Sequence, residues 1–414
     1  MNRRSFLATL GAATAALPAL AAEGPSKPPA PQGGKAAFVQ PPTAQIVGSD
    51  ALAICWRTAT PSAGTVFWTQ DPALPRDRWA AARRTAGGLV LANRCDHLVT
   101  LRGVDFAKPL RFETESIATT MNAYWTHFGD RARSGEVTLG PLVREEGLCF
   151  AMLNDLHANA ALIPKLLAVP AVAEAKPAFI ALNGDCAGNC ITPEGLRDAL
   201  LGPMAELTAR GLPLLFVRGN HEYRGAMARR LGEAFAPHVA TREAYGALTL
   251  GGVRLLVLDC GEDKVDSHRE YCGLLDCEPY IAEEADWLRR EIASPEWAAA
   301  KRRIAFCHIP PTTGDPKADA WHGPTRLRKH IAPLLAQANL DMLLSAHEHR
   351  AAHLPAAGSA RPYPTLIGGG PKEASATVLL CRATPSALTA TLYRLDGSAV
   401  ATVNGGAAEV RQSR

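Results

Sequence analysis

Polar residues that can bind metal ions follow five short apolar runs in this 414-residue sequence. Imidazole nitrogens and carboxylate or amide oxygens suit divalent transition-metal ions. Asp155 and His157 are two residues apart, so both side chains point to the same side of an extended segment. His347 and His349 have the same spacing. The residues that follow the five runs are Asp155 and His157, Asp185, Asn220 and His221, His308, and His347 and His349.

This inventory fits two metal ions. Two carboxylates, four imidazoles besides His221 and one amide oxygen are available, so Mn, Fe, Zn or Co would suit the site without a thiolate. By formal count, two divalent ions with two carboxylate ligands keep about two positive charges, which match the negative oxygens of a phosphate ester. Two ions about 3.5–4 Å apart can hold a phosphoryl group and generate a bridging hydroxide. The set therefore favours hydrolysis of small-molecule phosphate esters.

Strands and helices alternate from residue 148 onward, which predicts an α/β layer. In open α/β sheets, sites form beyond the carboxyl ends of the strands, so five strand ends would bring their polar residues to one edge. Residues 36–145, in contrast, carry short β-type runs between turn residues and predict a small all-β sandwich without ligand-type clusters. The principal strands are predicted at 52–58, 65–69, 97–102, 110–115, 150–153, 179–182, 212–217, 304–307 and 341–345, and helices at 161–168, 195–210 and 287–292.

Residues 1–21 have the layout of an export signal. Arg3 and Arg4 precede an apolar run over 8–20, and Ala19-Leu20-Ala21 is a small-x-small cleavage site. The paired arginines favour the twin-arginine route, and an ordinary secretory signal is the alternative. We expect a periplasmic or secreted protein without a transmembrane segment, whose signal is joined to the fold by a linker over 22–35.

Composition and charge limit the classes of binding partner that we expect. Only 20% of the residues are charged, the net charge is +4, and no dense Lys/Arg run predicts a nucleic-acid partner. The ten cysteines include two closely spaced pairs, Cys186/Cys190 and Cys272/Cys277, which are disulfide candidates after export. No C-x-x-C pairs predict a zinc knot.

Taken together, the polar blocks resemble those of the calcineurin-like metallophosphoesterases, from residue 148 to about 370. The resemblance implies a four-layer αββα sandwich over residues 148–400, with Asp185 bridging two ions and His221 acting on the substrate. It implies a first ion held by Asp155, His157, Asp185 and His349, and a second held by Asp185, Asn220, His308 and His347.

The sequence departs from related patterns at two positions. Ala346 replaces the glycine that usually precedes the His-x-His block, and the added methyl group is small. Residues 36–145 are similar to the fibronectin-like domain of purple acid phosphatases, which bind iron through a tyrosine three residues after the bridging aspartate. That position is Gly188 here, so a tyrosinate-ligated site is not expected.

Three functions remain open at this point. Hydrolysis of phosphomonoesters is the first expectation, with His221 as general acid or leaving-group partner and with Asn220, His221 and His322 as substrate-binding candidates. A phosphodiesterase acting on nucleotides or phospholipid head groups is the near alternative. A metal-stabilised cell-envelope binding module without catalysis is the third, and the complete ligand set argues against it.

Overall fold

The structure is a computed structural model that describes residues 34–122 and 124–405. The predicted export signal and most of the predicted linker lie outside these residues. Among the described residues, no helix has the length and apolar character needed to cross a membrane.

The N-terminal part of the described chain consists almost entirely of strands. The runs predicted at 52–58 and 65–69 form one strand, whose pairing with a neighbour shifts between Arg57 and Ser62. Pro61 lies in this interval and has no N–H to donate to a sheet. The strands are β1 (Phe38–Gly48), β2 (Ala51–Thr69), β3 (Ala80–Ala82), β4 (Thr85–Ala86), β5 (Leu89–Val90), β6 (Arg94–Arg102), β7 (Leu110–Met121), β8 (Thr126–Arg133), β9 (Val137–Leu139) and β10 (Val143–Arg144).

Strands and helices alternate in the rest of the chain. The strands are β11 (Gly147–Leu153), β12 (Phe179–Asn183), β13 (Leu214–Val217), β14 (Gly246–Leu250), β15 (Val253–Leu258), β16 (Arg302–Cys307), β17 (Met342–Ser345), β18 (Ala352–Leu354), β19 (Thr365–Ile367), β20 (Thr377–Ala383), β21 (Leu388–Arg394) and β22 (Ala399–Gly405). The helices are α1 (Leu162–Leu167), α2 (Pro170–Ala175), α3 (Pro193–Leu196), α4 (Gly202–Ala209), α5 (Cys277–Ile292), α6 (Pro295–Ala299), α7 (Pro316–Asp319), α8 (His322–His330) and α9 (Ala332–Gln337). The helix predicted at 195–210 is interrupted by a π-helical turn, Arg197–Leu201.

Two sheets face each other in the second part of the chain. In one sheet β11, β12 and β13 are parallel neighbours, and in the other β15, β16, β17 and β19 are parallel. Phe150, Phe179 and Phe306 lie in the shared core between the sheets. Separate apolar clusters pack α1, α2 and α4 on one outer face, and α5, α8 and α9 on the other. The predicted four-layer αββα arrangement is confirmed.

The N-terminal strands continue the first sheet. β1 pairs with β13 in parallel, with Gln45 opposite Leu214. The Gln45 side chain also donates to the Ala234 carbonyl and accepts from the Ala236 N–H, at 2.6 and 2.9 Å. The division into domains 36–145 and 148–400 stays a prediction, and strands on both sides of it share one sheet.

All ten cysteines are free thiols, so neither candidate pair forms a disulfide. The Cys186 sulfur contacts the Gly184 carbonyl at 3.3 Å, and the Cys272 sulfur faces the Arg269 carbonyl at 3.6 Å. These thiols therefore point at backbone oxygens.

Candidate metal centre

The carboxyl ends of five strands meet at one place. Asp155 and His157 follow β11, Asp185 follows β12, and Asn220 follows β13. The second sheet contributes residues after β16 and β17. The histidine and aspartate side chains form three overlapping groups with ligand-type atoms within 4.8 Å of one another: Asp155, His157 and His349; His157, Asp185 and His221; and Asp185, His308 and His347.

Asp185 lies at the centre of this cluster. Its Oδ2 atom is 3.1 Å from Nε2 of His308, 3.8 Å from Nε2 of His157 and 3.9 Å from Nε2 of His221. Its other oxygen, Oδ1, accepts the backbone N–H of His221 at 2.8 Å. One carboxylate oxygen is thus held in place by the backbone, while the other faces imidazoles from both sheets.

Asp155, His157 and His349 form one side of the cluster. The Nε2 atoms of the two histidines are only 2.9 Å apart, and Oδ1 of Asp155 lies 3.6 Å from His157 Nε2 and 3.3 Å from His349 Nε2. Oδ2 of Asp155 accepts from the Asn154 side chain and the His347 backbone. Oδ1 is buried without a hydrogen-bond partner, as a carboxylate oxygen facing a cation position would be.

His308, His347 and Asn220 form the other side. Nδ1 of His308 lies 2.8 Å from the Asn183 carbonyl and can donate to it, which leaves Nε2 free to bind a metal. The Asn220 amide atom that faces the cluster lies 3.3 Å from Asp185 Oδ2 and 3.0 Å from His347 Nδ1. With its oxygen in that position, three electron-rich atoms converge without a hydrogen between them. Such a donor set fits a divalent ion.

Opposite charges stabilise one another within the cluster. Burial alone would raise the pKa of Asp155, but positive charge on His308 and the nearby imidazoles of His157 and His349 hold it below its ordinary value. Burial would likewise lower the pKa of His308, but the carboxylates of Asp185 and Asp155 raise it to about 10. The buried carboxylates of Asp155 and Asp185 therefore favour positive charge beside them, which suits a metal cation.

The backbone at these strand ends is strained. Of the eleven non-glycine residues with positive φ among the described residues, five are candidate ligands. Such conformations cost energy and persist where the surrounding structure enforces them. Ala346 does not belong to this group, so its methyl group adds no left-handed strain. The five are Asp155, His157, Asp185, His347 and His349, with φ between 44° and 72°.

Two glycines permit the close approach of the strand ends. A Cβ atom at Gly184 would collide with the His308 ring, and one at Gly219 would collide with Asp185. Gly184 also has a φ of 76°, which favours glycine. These two positions explain the glycines that accompany Asp185 and Asn220.

Glu222 ties two strand ends together. Its carboxylate is fully buried and accepts four backbone N–H groups, from Gly219, Asp185, Cys186 and Ala187, at 2.8, 2.8, 2.9 and 3.2 Å. It thereby fixes the loop that carries Asp185 against the loop that carries Asn220. The sequence places Glu222 in the Gly-Asn-His-Glu block but does not reveal this role, because three of the four donors come from a distant segment.

His221 lies beside the cluster and has two polar neighbours of its own. Nδ1 of His221 faces Oδ1 of Asn189 at 3.2 Å, and its other nitrogen faces the guanidinium of Arg224. The Arg224 guanidinium also donates hydrogen bonds to the carboxylates of Glu262, at 2.8 and 3.1 Å, and Asp263, at 3.0 Å. Burial, and to a lesser degree Arg224, lower the pKa of His221 to about 4.

Comparison with known protein families identifies this arrangement. Residues 150–351 match the family described as calcineurin-like phosphoesterase. The chain carries a calcineurin-like phosphoesterase domain. It is therefore a phosphoester hydrolase, and its fold and clustered histidines and aspartates indicate a dinuclear metal centre.

Solved structures place the phosphoesterase domain in a wider fold. Purple acid phosphatase PPD1 from yellow lupin (Lupinus luteus) seeds matches with a TM-score of 0.63 and 12% identity, over 90% of this chain and 74% of that chain. The shared fold therefore includes strands before residue 150. Vps29 from Entamoeba histolytica, as a single mutant, covers 63% of this chain and 99% of that chain at 12% identity, but its TM-score of 0.27 supports no argument. A comparison with curated proteins found no match.

The remaining substrate-binding candidate of the phosphoesterase lies apart from the ligand cluster. His322 lines a separate pocket with Asp266, Glu278, Arg326 and Lys329. Its expected role stays a prediction. The residue before it, Trp321, is the one that contacts a candidate ligand.

Proposed function

We propose that this protein is a phosphomonoesterase that uses two divalent metal ions. The observation that carries the proposal is the position of Asp185, whose Oδ2 faces imidazoles supplied by strand ends of both sheets. A carboxylate oxygen placed in this way can bridge two ions, and such pairs supply Lewis acidity for both the phosphoryl group and the attacking water.

We assign the ligands by proximity and donor chemistry. Asp155, His157 and His349 would complete the first ion's site with Asp185, and the short distance between the two histidine nitrogens supports a shared cation. Asn220, His308 and His347 would complete the second ion's site with Asp185, supported by the buried His308 and by the position of the Asn220 amide.

Charge balance favours a monoester as substrate. Two divalent ions, the carboxylates of Asp155 and Asp185 and a bridging hydroxide would leave about one formal positive charge, and the Arg224 guanidinium beside the centre adds a second. A dianionic monoester matches this charge more closely than a monoanionic diester. His221 and Arg224 lie on one side of the centre, where they can contact the phosphoryl group or the departing oxygen. We propose His221 as the group that acts on the substrate.

The proposal is tested with para-nitrophenyl phosphate and bis(para-nitrophenyl) phosphate. Metal-depleted protein is reconstituted with Mn or Zn, and kcat/KM is measured for both compounds. We expect metal-dependent hydrolysis with a clear preference for the monoester. A preference for the diester would identify a phosphodiesterase instead. Stable metal binding without turnover of either compound would indicate a binding module.

A further inference from the structure

An exposed tryptophan adjoins the candidate metal centre. Trp321 is 48% exposed, and its ring centroid lies 5.7 Å from that of His347. The two rings are almost perpendicular, at 87°, which is a favourable aromatic contact. A large apolar ring is therefore left open to solvent directly beside a candidate ligand of the second ion.

The backbone around Trp321 is well anchored. The Trp321 N–H donates to the Ala318 carbonyl at 3.0 Å, and the Trp321 carbonyl accepts from the N–H and hydroxyl of Thr325 at 3.2 and 2.8 Å. Trp321 thus joins the end of α7 to the first turn of α8. Two residues later, Gly323 packs so closely that a Cβ atom would lie 2.9 Å from Ile309. An aromatic ring on a rigid base loses little conformational entropy when it binds a ligand.

Exposed imidazoles mark the opening of the centre. The side chains of His349, His221 and His157 are 45, 24 and 17% exposed, whereas His308 is buried. A phosphoryl group must therefore enter over the exposed histidines, and its organic group must remain near the solvent side. Trp321, in contact with His347, is an apolar surface at this edge of the centre.

We propose that Trp321 determines specificity by packing against a flat aromatic ring in the leaving group of the substrate. The inference rests on the proposed hydrolysis of phosphomonoesters and names a substrate class for it. Two aromatic rings attract one another more strongly than the burial of apolar area alone explains. A planar aromatic ring should therefore gain more binding free energy from Trp321 than a saturated ring of similar size.

Binding of two non-hydrolysable probes tests this inference without requiring turnover. Phenylphosphonate and cyclohexylphosphonate have the same anionic group and differ in whether the ring is planar and aromatic. Their Kd values are measured by calorimetry on the Mn-loaded full chain. We expect phenylphosphonate to bind about three- to tenfold more tightly. Trp321→Ala should abolish this preference, and Trp321→Phe should restore part of it.

A matched control removes another exposed tryptophan. Trp125 is 37% exposed and lies between β7 and β8, so Trp125→Ala should leave the ratio of the two Kd values unchanged. Equal affinity of the original protein for both probes, or a preference that survives Trp321→Ala, would overturn the proposal. A protein that shows the preference but hydrolyses no phosphomonoester would contradict the proposed function and leave the role of Trp321 intact.

Discussion

Nη1 of Arg224 lies 2.7 Å from Nε2 of His221. A guanidinium has only N–H donors, so Nε2 must be the acceptor in this contact and the ring proton must be on Nδ1, which faces Asn189. Arg224 and Asn189 together fix the orientation of the His221 ring. The positive charge on this side of the centre therefore belongs to Arg224.

Arg224→Lys should lower kcat by roughly 10–100-fold while both metals are retained. Lysine keeps the charge but cannot contact Glu262 with two N–H groups and His221 with a third. Steady-state kinetics and metal analysis on the same samples provide the measurement. Arg229→Lys, at an exposed arginine that contacts the Leu274 carbonyl, is the control and should behave as the original protein. Equal activity of both variants would exclude a role for Arg224 in orienting His221.

His221→Ala should retain both metals and lose roughly 10²–10⁴ in turnover of alkyl phosphates if the His221 imidazole takes up a proton in the substrate complex and acts as a general acid. Aryl phosphates with good leaving groups need less protonation, so their loss should be smaller. Kinetics on para-nitrophenyl and alkyl phosphates, together with metal content, decide the matter. An equal loss on both substrates would contradict the general-acid role. If metal were also missing, His221 would instead serve to orient Asn220.

Asp185→Asn should remove most activity and at least one metal ion. An amide cannot neutralise two cations, and it offers one oxygen where Asp185 presents Oδ2 to several imidazoles. Elemental analysis and turnover of para-nitrophenyl phosphate are measured on the purified variant. Retention of two metals and full turnover would refute the bridging assignment.

Glu222→Gln should destabilise the protein by roughly 2–4 kcal/mol and weaken metal binding. One carboxylate oxygen would become an NH₂ group, which cannot accept hydrogen bonds from the backbone N–H groups that face it. The N–H groups of Cys186 and Ala187, in the loop that carries Asp185, are two of these donors. Denaturant unfolding of the metal-free protein measures the loss. Glu206→Gln, at an exposed position of α4, is the control. A variant as stable as this control would show that the four hydrogen bonds contribute little.

The clustering of the candidate ligands was predictable because each lies within a few residues of an apolar run, and parallel strands bring such positions to one edge. Asp155, His308 and His347 needed no knowledge of the tertiary structure. Asn189 and Glu262 could not be found in this way, since they reach His221 and Arg224 from distant loops. The joining of β1 to β13 was equally hidden, because strand pairing across about 170 residues leaves no local pattern in the sequence.

His97 makes stability depend on pH at a site far along the chain from the metal centre. Its ring is buried, stacks on Trp56 and contacts the Thr58 hydroxyl, and burial lowers its pKa to about 4. The unfolded chain, with a pKa near 6.5, binds this proton more readily, so the stabilisation is complete above pH 6.5 and is lost as pH falls towards 4.

The free energy of unfolding should fall when the pH is lowered from 7 to 4.5. In His97→Gln this fall should be smaller by roughly 2 kcal/mol than in the original protein. Urea unfolding of both proteins at the two pH values provides the comparison. Other acid-sensitive groups, including the buried His238, are common to both proteins and cancel. The same loss in both proteins would mean that His97 is not kept neutral by the fold.

The pairing of β1 with β13 has a consequence for any fragment that begins at the catalytic half. Without residues 34–147, β13 would present unpaired N–H and C=O groups along an open margin, next to apolar side chains that now contact the N-terminal strands. Unpaired edge strands of this kind can pair with strands of other molecules. The N-terminal strands therefore cover the edge of β13, and we expect a fragment without them to self-associate.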